Sequence, residues 1–249
     1  LVDMLKDYFH IGVRFDGPKF IHDAQRPKLG GRGTYDDTVK AITLLRSKGM
    51  TNGTITVLTA LHINHEKELL YEEYKNLGLN SVRFNHFFKT GQGVGKDELS
   101  ISDKELSDFL LKMYEIWKAD PEGDKIVIKP LDDLTRFALG IKPKVCVYGG
   151  CNDNLLEITP QGEVYPCGKF AGINKFSLGN IRDLSLTQLT RNKVALYTGA
   201  LTPNSHPYIC PFSSYEESGT FGSIPSINDS LNMVVQKIKE DLESKIGLA

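Results

Sequence analysis

No cysteine occurs in the first 145 residues of this 249-residue chain, and all four fall between Cys146 and Cys210. Four are too few for a disulfide scaffold in a chain this long, although two buried disulfides remain an open alternative. No run of eighteen apolar residues exists, which excludes a membrane-spanning helix. No charged segment followed by an apolar stretch marks a secretory signal, so a reducing, cytoplasmic setting is expected. There is no basic surplus either. The net charge is -1, where a nucleic-acid binder would carry a basic stripe. The chain also opens at Leu1 rather than at a methionine, in what reads as the middle of a helix. The expectation is that the gene product begins earlier.

What is present, up to about residue 140, is an alternation of strand and helix signals. Val13–Phe15 reads as a short strand broken by Asp16-Gly17-Pro18. Thr34, with Asp36 and Asp37 behind it, opens a helix that carries Val39, Ile42 and Leu45 and stops at Gly49. Thr54–Leu61 is rich in β-branched residues and reads as a buried strand. A helix with Leu69, Leu70, Tyr74 and Leu77 follows, and then a strand over Ser81–Phe88. Ser102 and Glu105 form a capping box ahead of a helix with Leu106, Phe109, Leu110, Met113 and Trp117 on one stripe. That stripe is core, because its period is what packing on a sheet demands. Lys125–Ile128 is a further strand, with a helix from Leu131 to Leu139 behind it. Strand–helix–strand repetition predicts an α/β fold with a parallel sheet. Three such units make a partial (β/α) barrel rather than a closed one.

Near residue 140 the helical period stops and Gly, Pro and Cys become frequent. The boundary is therefore placed between residues 141 and 142. Residues 142 to about 225 are expected to form short hairpins and loops around a metal centre. Asp229–Leu248 reads as a charged amphipathic helix with Leu231, Val234, Val235, Ile238, Leu242 and Ile246 on its apolar side.

The chemistry concentrates in Cys151-x10-Gly162-x4-Cys167. Pro160-Gln161-Gly162 makes the turn of a hairpin that brings Cys151 and Cys167 together at its open end. Cys146 lies upstream across Val-Tyr-Gly-Gly, and Cys210 arrives after 42 intervening residues. Four thiolates satisfy one cubane iron–sulfur cluster. Zinc is the competing metal, since structural zinc sites also take four cysteines, usually paired at tight gaps. The six histidines are scattered without an H-x-x-x-H pair and are assigned no metal. Gly91–Gly95 lacks the dinucleotide-binding spacing and reads as a loop after a strand. Asp16 lies at the end of its strand, where barrels place ligand contacts, or else makes an Asx turn before Gly-Pro. Alternation sends Arg83 and Asn85 to one sheet face and His86 to the other, so the first two line a lumen together.

The hairpin, followed by Leu178-Gly179-Asn180-Ile181 and Ser185-Leu186, resembles the SPASM module of radical SAM enzymes. Asp16-Gly17-Pro18, His22-Asp23, Arg26 and Gly33-Thr34-Tyr35-Asp36 resemble the middle of those enzymes' barrels, and the strand and helix pieces that follow keep the family's order. The resemblance covers nearly all of residues 1 to 200. It implies a partial radical SAM barrel over residues 1–141 and a cluster-binding module over 142–249. It also implies an auxiliary [4Fe–4S] cluster on Cys146, Cys151, Cys167 and Cys210, and a ribosomal peptide or protein as substrate. Asp16, Arg26, Arg83 and Asn85 become candidate cofactor contacts, toward S-adenosylmethionine once an N-terminal part is supplied. The departures carry equal weight. The family's C-x3-C-x2-C motif, which holds the radical-initiating cluster, is absent from these residues. Cys210 is followed by Ser213, Gly219 and Ser223 where the family continues with cysteines, so one auxiliary cluster is expected rather than two. Gly168 and Lys169 follow Cys167 where some relatives place an Asp base, which turns the expectation from sulfatase maturation toward peptide cross-linking and leaves the catalytic side chain unknown. The alternatives are a non-catalytic relative that binds a peptide or partner, a zinc-stabilised scaffold, and an open sheet edge covered by a second chain.

Overall fold

Residues of alternating size and polarity place two parallel layers of side chains on the first sheet. The structure, a computed structural model, describes residues 2–5, 7–9, 11–50, 53–87, 93–150, 155–202 and 205–246. It divides into two units, Leu1–Asp132 and Asp133–Ala249.

The first unit runs α1 (Val2–Leu5), β1 (Gly12–Arg14), α2 (Lys19–Gln25), α3 (Tyr35–Ser47), β2 (Gly53–Leu58), α4 (Ala60–Ile63), α5 (Lys67–Asn76), β3 (Ser81–His86), α6 (Asp103–Ala119) and β4 (Val127–Lys129). All four strands are parallel, in the order β1-β2-β3-β4. Helices lie between consecutive strands, the arrangement of a partial (β/α) barrel. One face is covered. Phe15, Thr54, Thr56, Leu58, Val82, Phe84 and Ile128 are all buried. Phe84 meets Tyr74 of α5 at 6.1 Å and Phe109 of α6 at 5.1 Å between ring centroids, and Phe15 meets Tyr74 at 6.0 Å. Each such large side chain contributes about 1.5–3 kcal/mol by leaving water. The β-branched threonines of β2 are tolerated in this core because their hydroxyls are used. Thr54 Oγ1 donates to the Val13 carbonyl at 2.7 Å, and Thr56 Oγ1 to that of Phe15 at 2.7 Å.

The Ser102–Glu105 capping box is present at the start of α6, and the Trp117 indole at its end donates to the Gly123 and Ile126 carbonyls at 2.6 and 3.0 Å. The strand expected over Thr54–Leu61 ends at Leu58. Thr59 accepts from the backbone there and starts α4 in its own capping box with His62. The third strand, expected to reach Phe88, ends at His86 with Phe87 outside it, while Phe88 and the first part of the Gly91–Gly95 loop lie outside the described residues.

The second unit holds α7 (Leu131–Ala138, which begins at the division), α8 (Cys146–Gly149), β5 (Glu157–Ile158), β6 (Glu163–Tyr165), β7 (Gly179–Asn180), α9 (Leu186–Leu196), α10 (Pro211–Ser218) and α11 (Ile227–Ile246). Asp133 explains why the segment after α7 stays with this unit: its Oδ1 accepts from Lys144 N and Val145 N at 2.7 and 3.2 Å. β5, β6 and β7 form an antiparallel sheet, the expected hairpin with a third strand from the Leu178–Ile181 motif. Gly179 is required there. Its φ is +116° and a Cβ would lie 2.5 Å from Leu184 Cδ1. Val164, Leu178 and Leu189 make the core beneath this sheet, and Ser185 caps α9 in a box with Gln188.

Residues 142–225 contain more helix than hairpins and loops alone. α8, α9 and α10 are short, and their buried sides include Lys193, Ser213 and Ser214, which weakens the apolar period. α11 buries Leu231, Val234, Val235 and Ile238 as its period requires. The Ile246 side chain and Leu248 lie outside the described residues. No helix among the described residues is long and apolar enough to cross a membrane.

Candidate functional site

In the first unit, residue types that favour ligand contact converge at the C-terminal end of β1. Asp16 is fully buried, and every polar atom it has is engaged. Its Oδ2 receives Arg26 Nε at 2.5 Å and its Oδ1 the Val57 N–H at 2.9 Å. Its own N–H donates to His22 Nδ1 at 3.1 Å, and its carbonyl lies 2.9 Å from His62 Nε2. The sequence reading proposed Asp16 and Arg26 separately, and the structure joins them as one ion pair. Arg26 keeps a quarter of its side chain exposed, whereas Asp16 has none. Gly17 must follow: its φ is +90°, and a Cβ would lie 2.3 Å from Leu70 Cδ1.

Two histidines complete this arrangement: His22, named in the sequence only for the family resemblance, and His62, which the sequence reading did not single out. His62 Nδ1 accepts from the Thr59 N–H at 3.2 Å, as His22 Nδ1 does from Asp16. A ring nitrogen that accepts a backbone N–H carries no proton, so both imidazoles are neutral with the proton on Nε2. Burial is the main cause that holds both below their ordinary value of 6.5, with the Asp16 charge opposing it. A lowered value means the folded chain binds fewer protons than the unfolded one. This part of the stability is therefore complete above pH 6.5 and declines as the pH falls through it. Thermal melting should show a lower midpoint at about pH 5.5 than at about pH 7.5, and His62→Gln should flatten that slope. An unchanged slope in His62→Gln and His22→Gln alike would refute the assignment.

Arg83 and Asn85 do share a face of β3, with Val82 and Phe84 buried on the other. They are set apart from the Asp16–Arg26 pair by their use: neither Arg83 nor Asn85 has an ion pair or side-chain hydrogen bond among the described residues.

The second unit brings its thiols together. Cys167 follows β6, Cys146 opens α8, and Cys210 precedes Pro211 at the start of α10. The Ile209 N–H donates to the Val147 carbonyl at 2.7 Å, and that bond carries the distant Cys210 to Cys146. All three thiols line one cavity of about 270 Å³ whose other walls include Leu155, Phe170 and Phe212. None of the three is in a disulfide. Cys151 lies outside the described residues. No group of three His, Cys, Asp or Glu side chains among the described residues closes on a single metal ion.

Burial pushes the Cys167 thiol up, against the pull of the Lys169 N–H, and the nearby Cys210 adds to the rise. Lys169 is the cation of the cavity, with Nζ 3.6 Å from Cys210 Sγ and 5.6 Å from the Phe212 ring. Lys193 is a second residue the sequence reading missed. It is 1% exposed and donates to the Leu155 carbonyl at 2.7 Å, fixing one wall. Aromatic rings pack beside the cavity. Phe170 meets Phe176 at 4.8 Å and Phe212 at 5.1 Å, and Tyr215 meets Phe176 at 4.9 Å and Phe221 at 5.1 Å.

Comparison with known proteins agrees with this geometry. Residues 146–207 match the SPASM family, an iron–sulfur cluster-binding domain, a match that takes in three of the four cysteines and ends just before Cys210. A cysteine-type anaerobic sulfatase-maturating enzyme of Clostridium perfringens is 27% identical over 183 residues, covering 73% of this chain and 49% of its own length. The chain spans about half the length of the curated relatives it matches. The solved structure of native anSMEcpe with bound AdoMet and Kp18Cys peptide superposes with a TM-score of 0.67 at 25% identity, covering 78% of this chain and 54% of the other. Native anSMEcpe with bound AdoMet reaches 0.76 at 20% identity over 98% of this chain and 69% of that one, a likeness of fold. By sequence and by fold, this chain is related to the radical SAM enzymes that carry a SPASM domain.

Proposed function

We propose that the chain corresponds to the later part of a radical SAM peptide-modifying enzyme, with a partial barrel over residues 1–141 and a cluster-binding module over 142–249. The observation that carries this reading is the convergence of Cys146, Cys167 and Cys210 on one cavity inside a segment matched by the SPASM family. The donor set fits the group. Three thiols arrive from three separate elements, and Cys151, five residues after Cys146, supplies a fourth. When bound, the auxiliary [4Fe–4S] cluster positions the substrate or takes up an electron. Lys169 offsets the negative charge that thiolate ligation brings to the cavity, and the apolar walls keep water from it.

At the barrel end, Asp16 holds Arg26 in place at the edge of a site for S-adenosylmethionine, with Arg83 and Asn85 on the lumen face. Radical initiation requires the C-x3-C-x2-C cluster that these residues do not contain, and the free edge of β1 is where further strands or a second chain would pair. The substrate is a ribosomal peptide or protein, as the peptide bound in the related structure suggests. None of the described residues that line the cavity is a carboxylate. With Gly168 and Lys169 following Cys167, cross-linking of the peptide is the reaction this reading favours. A reducing cytoplasm suits both the cluster and the free thiols.

Anaerobic reconstitution tests the proposal. About four irons and as many labile sulfides per chain are expected, with a broad visible absorption, and Cys167→Ala should abolish most of the uptake. A folded chain that takes up one zinc and no sulfide would overturn it.

A further inference from the structure

The thiols of the second unit's cavity do not meet the same surroundings, and the difference begins with the residues after Cys167. The Phe170 N–H donates to the Cys167 carbonyl at 3.0 Å and closes a turn over Cys167-Gly168-Lys169-Phe170. The turn divides its side chains. Phe170 enters the rings, where it is 1% exposed and stands 5.1 Å from Phe212 between centroids. Lys169 stays half-buried and reaches a sulfur that is distant in sequence, with Nζ 3.6 Å from Cys210 Sγ. The face of the Phe212 ring, 5.6 Å away, helps to hold the ammonium there. Cys167 is served differently, because the backbone N–H groups of Lys169 and Phe170 bear on its sulfur. One sulfur therefore faces peptide dipoles and the other a full positive charge. Cys210 is also the most enclosed of the three, at 6% exposed, whereas Cys146 and Cys167 are half-buried. Among apolar walls such as Leu155, Phe170 and Phe212, a charge beside a sulfur is screened far less than at the surface.

We propose that Lys169 is a positioning residue that sets the reduction potential of the auxiliary cluster through the Cys210 sulfur. The proposal rests on the cluster-binding reading above and concerns how that same site is tuned. On reduction the cluster takes up one electron and gains one unit of negative charge, with no bond or proton exchanged. An ammonium within hydrogen-bond reach of a ligating sulfur favours the more negative state, and so raises the potential. The backbone donors at Cys167 cannot match this, since a peptide group carries no net charge. The electrostatic control of the site thus lies in one replaceable side chain.

The test uses the whole chain after anaerobic reconstitution, with iron and sulfide counted in every variant before potentiometric titration with dithionite as the electron source. Lys169→Met should make reduction about tenfold less favourable, a fall of about 59 mV for a one-electron couple. Lys169→Arg should restore most of it, since the charge remains. Lys175→Met is the control for overall charge. Its ammonium belongs to the same unit but lies over the Phe176 and Tyr215 rings at 5.0 and 4.6 Å, and donates to the Tyr215 hydroxyl at 3.1 Å. The potential of Lys175→Met should stay near that of the unaltered chain, and the electron paramagnetic resonance of the reduced cluster should change only in Lys169→Met. A Lys169→Met potential equal to that of the unaltered chain, or an equal fall in Lys175→Met, overturns the proposal. If the methionine variant takes up no iron, Lys169→Gln is titrated in its place, and an unshifted potential or an equal loss of iron there overturns it too. An unaltered chain that takes up no iron removes the cluster reading and this inference with it. A chain that loads its cluster at a potential indifferent to residue 169 sinks this inference alone.

Discussion

Replacing Arg26 with methionine should destabilise the first unit by about 3–5 kcal/mol, the usual cost of stranding one partner of a buried ion pair. The asymmetry of exposure sets this magnitude. Arg26 has a route to water, but Asp16 has none, so removing the arginine leaves a carboxylate in the core with Oδ2 unmatched. Methionine keeps most of the side-chain volume, so the loss reports charge rather than a cavity. Arg26→Lys should recover only part of it, since an ammonium lacks the fork that places Nε on the carboxylate. Paired with Asp16→Asn, the substitution should cost less than the two single changes summed, because the groups share one interaction. Trp117 is the single tryptophan of the chain and lies in the first unit, so urea melts followed by its emission report on this unit. A loss under about 1 kcal/mol, the range of solvated surface pairs, would show that Asp16 finds water after all.

Phe170→Ala should be of similar size in the second unit, about 3–5 kcal/mol for deleting a buried aromatic ring. Phe170 is 1% exposed and stands within 6.2 Å, centroid to centroid, of Phe176, Phe212, Tyr197 and Phe221. It also lines the thiol cavity, so its loss should lower iron uptake along with stability. Phe170→Leu should keep a larger share of both. Near-ultraviolet circular dichroism, which sees the packed tyrosines of this unit, gives the readout. An alanine variant whose aromatic signal persists and whose iron content is unchanged would show that the rings do not hold the module together. The same experiment on chain treated with a chelator should leave the aromatic signal largely in place, because the rings pack on one another.

The sheet was readable in the sequence because its two faces differ so clearly. Alternation in Ser81–His86 separated Arg83 and Asn85 from Val82 and Phe84, and the Ser102 capping box located the start of α6. Other elements lacked such a signal. α2 buries Ile21 and His22 while Phe20 is exposed, so its inward side is half polar and its period is hidden. α9 turns Leu189 and a buried Lys193 inward, and α10 buries serines. The thiol cluster was legible as a set of residues but not as a place. Cys210 reaches Cys146 through one backbone hydrogen bond between Ile209 and Val147, and backbone bonds leave no trace in residue identity. The Asp16–Arg26 pair was likewise invisible as a pair. Ten residues separate them, and only the turn of α2 folds one back on the other.

The strand order of the first sheet bears on how the chain folds. Each strand of β1-β2-β3-β4 pairs with the one made just before it. None has to be threaded between two that are already bonded, so the sheet can grow by accretion as the chain leaves the ribosome. At every stage one newly made edge awaits the next strand, and loop closure spans only a single crossover. A nascent chain of this design has few opportunities for mispairing, even though its finished sheet is entirely parallel.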